Sequence, residues 1–169
     1  FSYAAIEMLS NLSAGAVNEH AFLEKREEKK ICVVVVTSDK WLCGSLNGNL
    51  LRRAEKFMFK QRAEGKEVVV VAVGKYGAGY LKKRGVSVVR DFRGIGDIAL
   101  LSDSYPISDY IIEEFHKQSF DAVYVVYTRF ISTLKQAQET LKVLPLDPDT
   151  FNFILKDIVP ERSKRRECK

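Results

Sequence analysis

The chain has 169 residues, 46% of them hydrophobic and 29% charged, with 10 Gly and 4 Pro. That balance excludes a disordered, collagen-like or disulfide-stapled chain and suits one buried core. The formal charge is +5, yet the last ten residues hold Arg162, Lys164, Arg165, Arg166 and Lys169 against Glu161 and Glu167. The basic excess is therefore mostly a tail, and the body lacks the stripe of cations and exposed aromatics that nucleic-acid binding requires.

From Ser2 to Leu12 the apolar residues Tyr3, Ala5, Ile6, Leu9 and Leu12 recur at helical spacing, which predicts a helix closing near Gly15. A charged stretch from Glu24 to Lys30 leads into Ile31–Val36, whose β-branched density without alternation predicts a strand covered on both faces. The segment Thr37 to Ser45 turns the chain. Leu46, Leu50, Leu51, Ala54, Phe57 and Met58 then mark a helix ending near Gly65.

The unit repeats with a second buried strand at Val68–Val73, a break at Gly74 and a short helix over Tyr76 to Arg84. A third strand is predicted over Val86 to Arg90, then a glycine-bearing loop with Gly94 and Gly96. A polar turn from Ser102 to Pro106 precedes a helix carrying Ile107, Tyr110, Ile111 and Phe115 on one face, and a fourth strand runs from Asp121 to Tyr127.

Alternating strands and helices imply right-handed crossovers and a largely parallel sheet. The expected class is α/β: a Rossmann-like three-layer sandwich with about five strands, the last antiparallel. Thr133 to Leu144 follows the fourth strand too closely for a parallel crossover, so as a strand it must return antiparallel. Leu134, Ala137, Leu141 and Leu144 fit a helix equally well, and periodicity alone does not decide. Phe151, Ile154, Leu155 and Ile158 open a last helical pattern before Pro160 and the tail. The expected organisation is one α/β body over 1–150, with 1–15 the stump of a helix, and 151–169 the start of a further helix with the basic tail.

The longest apolar runs are six residues, far short of the roughly 20 that span a bilayer as a helix. The chain opens on Phe1 with no basic, apolar and small-residue succession, so the expectation is a fragment or processed form with no signal peptide. Cys32, Cys43 and Cys168 are odd in number and form no C-x-x-C, and His20 and His116 lie far apart. Neither a disulfide framework nor a zinc set follows, a reducing compartment is expected, and no metal or other cofactor.

The loop after the first strand, at the carboxyl end of the sheet, is the first place to seek chemistry. It offers Ser38, Asp39, Lys40, Cys43 and Gly44, but no string of the G-x-x-x-x-G-K-S/T kind occurs. A dinucleotide-like Gly94-x-Gly96-x-x-Ala99, with Glu113 and Glu114 further on, follows the third strand instead of the first. Ser38 and Asp39 read as cap or loop hydrogen-bonding groups, Cys43 as a packing residue, and Asn47 and Asn49 as residues at a helix start. No catalytic set emerges. A nucleotide-binding α/β enzyme or module is the alternative function.

The string from Val35 to Leu50, V-V-T-S-D-K-W-L-C-G-S-L-N-G-N-L, resembles the signature of the gamma subunit of F-type ATP synthases, in which a valine-rich strand runs into S-D-K/R-G-L-C-G-x-L-N-x-N-L. A second stretch, Tyr127-Thr128-Arg129-Phe130-Ile131-Ser132 leading through Gln136 to Leu144-Pro145-Leu146, is similar to that family's late hairpin. Ser38, Asp39, Lys40, Leu42, Cys43, Gly44, Leu46 and Asn47 match the signature, and Trp41 departs from it where the family has glycine. The resemblance implies a non-catalytic rotor subunit that couples proton translocation to ATP synthesis or hydrolysis. It implies a globular foot on the epsilon subunit and the c-ring, and terminal helices, largely missing here, that enter the alpha and beta hexamer. It further implies a peripheral place on an energy-transducing membrane, on the cytoplasmic side in bacteria or the matrix or stroma side in organelles.

Overall fold

A computed structural model describes residues 22, 26–39, 45–95, 100–132 and 135–146. The chain divides into two compact units, Lys25–Pro145 and a second made up of Phe1–Glu24 and Leu146–Lys169. The expected helices over Ser2 to Leu12 and from Phe151 onward lie outside the described residues.

The unit Lys25–Pro145 holds β1 (Lys30–Val36), α1 (Leu46–Ala63), β2 (Glu67–Val73), α2 (Lys75–Lys83), β3 (Val88–Phe92), a 3-10 turn (Leu101–Ser104), α3 (Tyr105–His116), β4 (Ala122–Ser132) and β5 (Lys135–Leu144). The strands form one sheet in the order β3-β2-β1-β4-β5. β1 pairs in parallel with β2 and β4, β2 with β3, and only β4 and β5 are antiparallel. The α/β class with its antiparallel last strand is thus found.

The unbroken apolar runs are explained by burial on both sides, except at Val36, which ends β1 and is exposed. Ile31, Val33 and Val35 face α1 and α2 in a cluster with Leu50, Leu51, Ala54, Met58, Val70, Ala72, Ala78 and Leu81. Cys32 and Val34 point the other way and are equally buried. Right-handed crossovers put α1 and α2 on one face, and the step from β3 at one edge to β4 beyond β1 puts α3 on the opposite face. There Tyr110 meets Phe92 edge-on at 6.0 Å, and burial pushes the Cys32 thiol up to about 12, so it packs as a small apolar group.

Two boundaries differ from the sequence pattern. β3 starts at Val88 and not Val86, because the Val86 N–H still closes the end of α2 on the Leu81 carbonyl at 3.1 Å. β4 runs on to Ser132, five residues past Tyr127, because β5 pairs along it where β1 has ended. The overhang is a two-stranded hairpin with Phe130 and Ile131 exposed near its tip.

Candidate functional site: the carboxyl end of the central strand

In a doubly wound sheet the crevice lies outside the carboxyl ends of the strands where the strand order reverses, here between β1 and β4. Thr37, the first residue after β1, is buried. Its N–H and its hydroxyl both donate to the Val73 carbonyl, at 2.8 and 2.9 Å, and the hydroxyl oxygen accepts the Gly77 N–H at 2.9 Å. Thr37 thereby rivets β1 to the β2–α2 turn. The rivet leaves no space for side chains: a Cβ on Gly74 would lie 2.2 Å from the Thr37 carbonyl oxygen, and one on Gly77 would lie 2.7 Å from its hydroxyl oxygen.

Gly74 is the N-cap of α2 and has no side chain to cap it. Asp39 does this from a different loop. Its carboxylate accepts the Lys75 N–H through Oδ1 at 2.7 Å and the Gly94 N–H through Oδ2 at 2.7 Å. A carboxylate at a helix N-terminus is stabilised by the free N–H groups and the helix dipole. The free N–H group at the start of α2, which could otherwise help to hold an anion, is thus met by the chain's own carboxylate.

Ser38 and Asn47 form a second tie. The Ser38 N–H donates to Asn47 Oδ1 at 3.3 Å, and Asn47 Nδ2 donates to Ser38 Oγ at 2.8 Å. Asn47 sits in the first turn of α1 and is buried, so a full amide would be costly there without partners. Leu46 beside it is half-buried.

Of the signature residues, then, Ser38 and Asn47 meet each other, and Asp39 meets α2 and the loop after β3. Lys40, Trp41, Leu42, Cys43 and Gly44 lie outside the described residues, as do His20 and the Gly96 to Ala99 part of the dinucleotide-like match. Glu113 and Glu114 are engaged at the end of α3, accepting from Lys117 Nζ at 2.7 and 3.2 Å. Among the described residues no group of three or more His, Cys, Asp or Glu is placed to hold a metal ion. No described helix is long and apolar enough to cross a membrane.

Sequence reasoning missed Thr37, Gly74 and Gly77 as a set, since a threonine and two glycines on different elements carry no joint signal. Replacing Asp39 with alanine is expected to cost about 1–2 kcal/mol, a discounted value because water reaches the freed amides. Hydrogen exchange checks the assignment: the Lys75 and Gly94 amides should accelerate together, and acceleration of one alone would remove the bridging role.

A family model described as ATP synthase matches residues 1–167. The ATP synthase gamma chain of Lactiplantibacillus plantarum is 33% identical over 157 residues, covering 89% of this chain and 50% of the relative. That of Syntrophobacter fumaroxidans is 37% identical over 145 residues, covering 84% and 50%. This chain spans about half the length of these curated relatives. Its fold is similar to a chain in the rotor of the Euglena gracilis mitochondrial ATP synthase, with TM-score 0.53 and 17% identity over 99% of this chain and 61% of that one. It is similar also to a chain of the central stalk and c-ring structure of the Tetrahymena thermophila mitochondrial ATP synthase, with TM-score 0.56 and 21% identity over 99% and 73%. With a family match along nearly the whole sequence and curated relatives that are themselves gamma chains, this chain belongs to the ATP synthase gamma chain family.

Proposed function

We propose that this chain forms the globular part of a central-stalk subunit of a rotary ATP synthase and acts without catalysing a reaction, by transmitting torque between proton flow and the nucleotide sites of other subunits. The observation that carries the proposal is the family match over residues 1–167. The geometry supports it from a different direction. Thr37, Asp39 and Asn47 spend their polar atoms on tying strand and helix ends together, which suits a body that must resist deformation. Against the nucleotide-binding alternative at the Gly94 loop, the two convergent N–H donors of Lys75 and Gly94 are already held by Asp39.

In this reading residues 1–150 are one body whose residues 1–15 are the stump of a shaft helix. Residues 151–169 are the start of a second shaft helix with the basic tail, the shaft being the part that meets the alpha and beta hexamer. The foot rests peripherally at the membrane on the c-ring, on the cytoplasmic side in bacteria or the equivalent organellar side. The epsilon subunit docks along β5 and the hairpin tip. β5 is an outer strand of the sheet, and an edge strand offers unpaired backbone groups to a partner. Phe130 and Ile131 add exposed apolar surface beside it, 67% and 48% accessible.

The test is binding of the tagged chain to purified epsilon subunit and to c-ring in detergent. Both are expected to be retained, and the pair Phe130→Ser with Ile131→Ser is expected to weaken epsilon binding by about tenfold or more while leaving the fold intact. A folded variant with undiminished epsilon affinity would remove the hairpin as the docking surface. Failure of the parent chain to bind either partner would overturn the assignment as a whole.

A further inference from the structure

Glu28 lies two residues before β1, outside every helix and strand, yet its side chain is only 17% exposed. Three donors converge on it. Lys142 Nζ reaches Oε1 at 2.6 Å, Lys66 Nζ reaches Oε2 at 2.8 Å, and the Tyr124 hydroxyl lies 3.0 Å from both oxygens. They come from β5, from the turn between α1 and β2, and from β4, at 114, 38 and 96 residues' distance. Burial alone would raise the Glu28 carboxyl, but the hydrogen bonds from Lys142 and Lys66 outweigh it and hold the group down at about 2. Lys66 is steadied in turn by Gln61 Oε1 at 2.9 Å and by Glu64 at 3.5 Å.

The backbone groups of the neighbouring residues are knit to the starts of the adjacent strands. Asp121 Oδ2 accepts from the Lys29 and Lys30 N–H groups, and the Asp121 and Glu67 N–H groups donate to the Lys30 and Lys29 carbonyls. Reaching β5 is different, because β4 stands between it and β1. Lys142 is the register partner of Tyr124, and both side chains cross toward Glu28. The unit Lys25–Pro145 therefore has its way in, at Glu28, and its way out, just past Lys142, joined through one carboxylate.

We infer that Glu28 is a clasp that ties the entry of the chain into this unit to its exit, so that force drawn through either end is shared by β1, β4 and β5 instead of running along one strand. The mechanical purpose rests on the rotor reading, whereas the clasp itself does not. Charge-assisted bonds to a half-buried carboxylate have the strength for the task.

Hydrogen exchange on this same chain tests it. Glu28→Gln keeps the shape and removes the charge, and the amides of residues 27–31 and 141–144 are expected to exchange at least about tenfold faster together while those of 68–72 keep their rate. Lys142→Met, which alters only the exit strand, is expected to loosen both segments as well, and the double variant to be no worse than either single one. Loosening confined to 141–144 in Lys142→Met, or equal acceleration of every amide, would overturn the clasp. Should Glu28→Gln fail to fold, Lys142→Met decides the same question. Loss of partner binding by the parent chain would strike the rotor reading and leave these exchange patterns untouched, so the two failures are distinguishable.

Discussion

Replacing Gly74 with alanine is expected to lower the unfolding free energy by about 3–5 kcal/mol, one of the two largest effects available in this chain. Gly74 has φ 91° and ψ 145°, a region essentially confined to glycine, and its Cβ would meet the Thr37 carbonyl oxygen at 2.2 Å. That neighbour is backbone and cannot rotate away. Shifting either residue would strain the Gly74 N–H bond to the Phe92 carbonyl, at 2.8 Å, and the paired bonds from Thr37 to Val73. Gly65→Ala is the control: φ is 83° there too, but nothing lies within 4 Å of the added methyl, so the backbone cost of about 1 kcal/mol stands alone. Urea titrations of both variants measure the difference, and equal losses would show that the close approach to Thr37 carries no weight.

Phe115→Ala is expected to cost a similar amount, about 3–5 kcal/mol, and to lower Tm by about 6–20 °C. Phe115 is wholly buried near the end of α3. Its ring packs 6.3 Å from that of Phe120, and the Arg26 guanidinium lies over it at 5.5 Å. Truncation leaves a cavity that rigid strands cannot close and removes the aromatic face beneath the cation. Phe59 supplies the comparison because it is 77% exposed on the outer side of α1, and its truncation is expected to stay within about 0.5 kcal/mol. A thermal melt of Phe115→Ala that coincided with that of Phe59→Ala would refute the account of the second face of the sheet.

The elements that could be read from sequence are those whose pattern is set by burial of their own residues. β1 and β2 announce themselves because both faces are covered over Ile31–Val35 and Val68–Val73, so nothing polar interrupts either run. The stretch from Thr133 to Leu144 resisted reading because Leu134, Ala137, Leu141 and Leu144 are spaced for a helix, while the short connection after the fourth strand asks for an antiparallel strand. Its strand state is fixed by pairing with β4, from Val123 opposite Leu144 outward to Ser132 opposite Lys135, which is tertiary information. The candidate site was legible as a place and less so as a device. The signature string marked the loop, but Asp39 acts on Lys75 and Gly94, 36 and 55 residues away. Glu28 was one more charge in a charged stretch, since no local pattern links it to Lys66, Tyr124 and Lys142.

The order of the strands also bears on how the polypeptide comes into being. β1 is the middle strand of the sheet, yet one of its two neighbours, β4, is joined to it through residues such as Lys30 and Asp121 that stand 91 positions apart. A chain made from its amino end can pair β1 with β2 early, but for the time needed to make α2, β3 and α3 the other edge of Ile31–Val36 has no native neighbour. An apolar, β-branched edge left open is a template for pairing with another chain. Closure of that edge by a late, non-local strand makes for slow folding, and the interval before β4 emerges is when a nascent copy of this protein most needs shielding from its own kind.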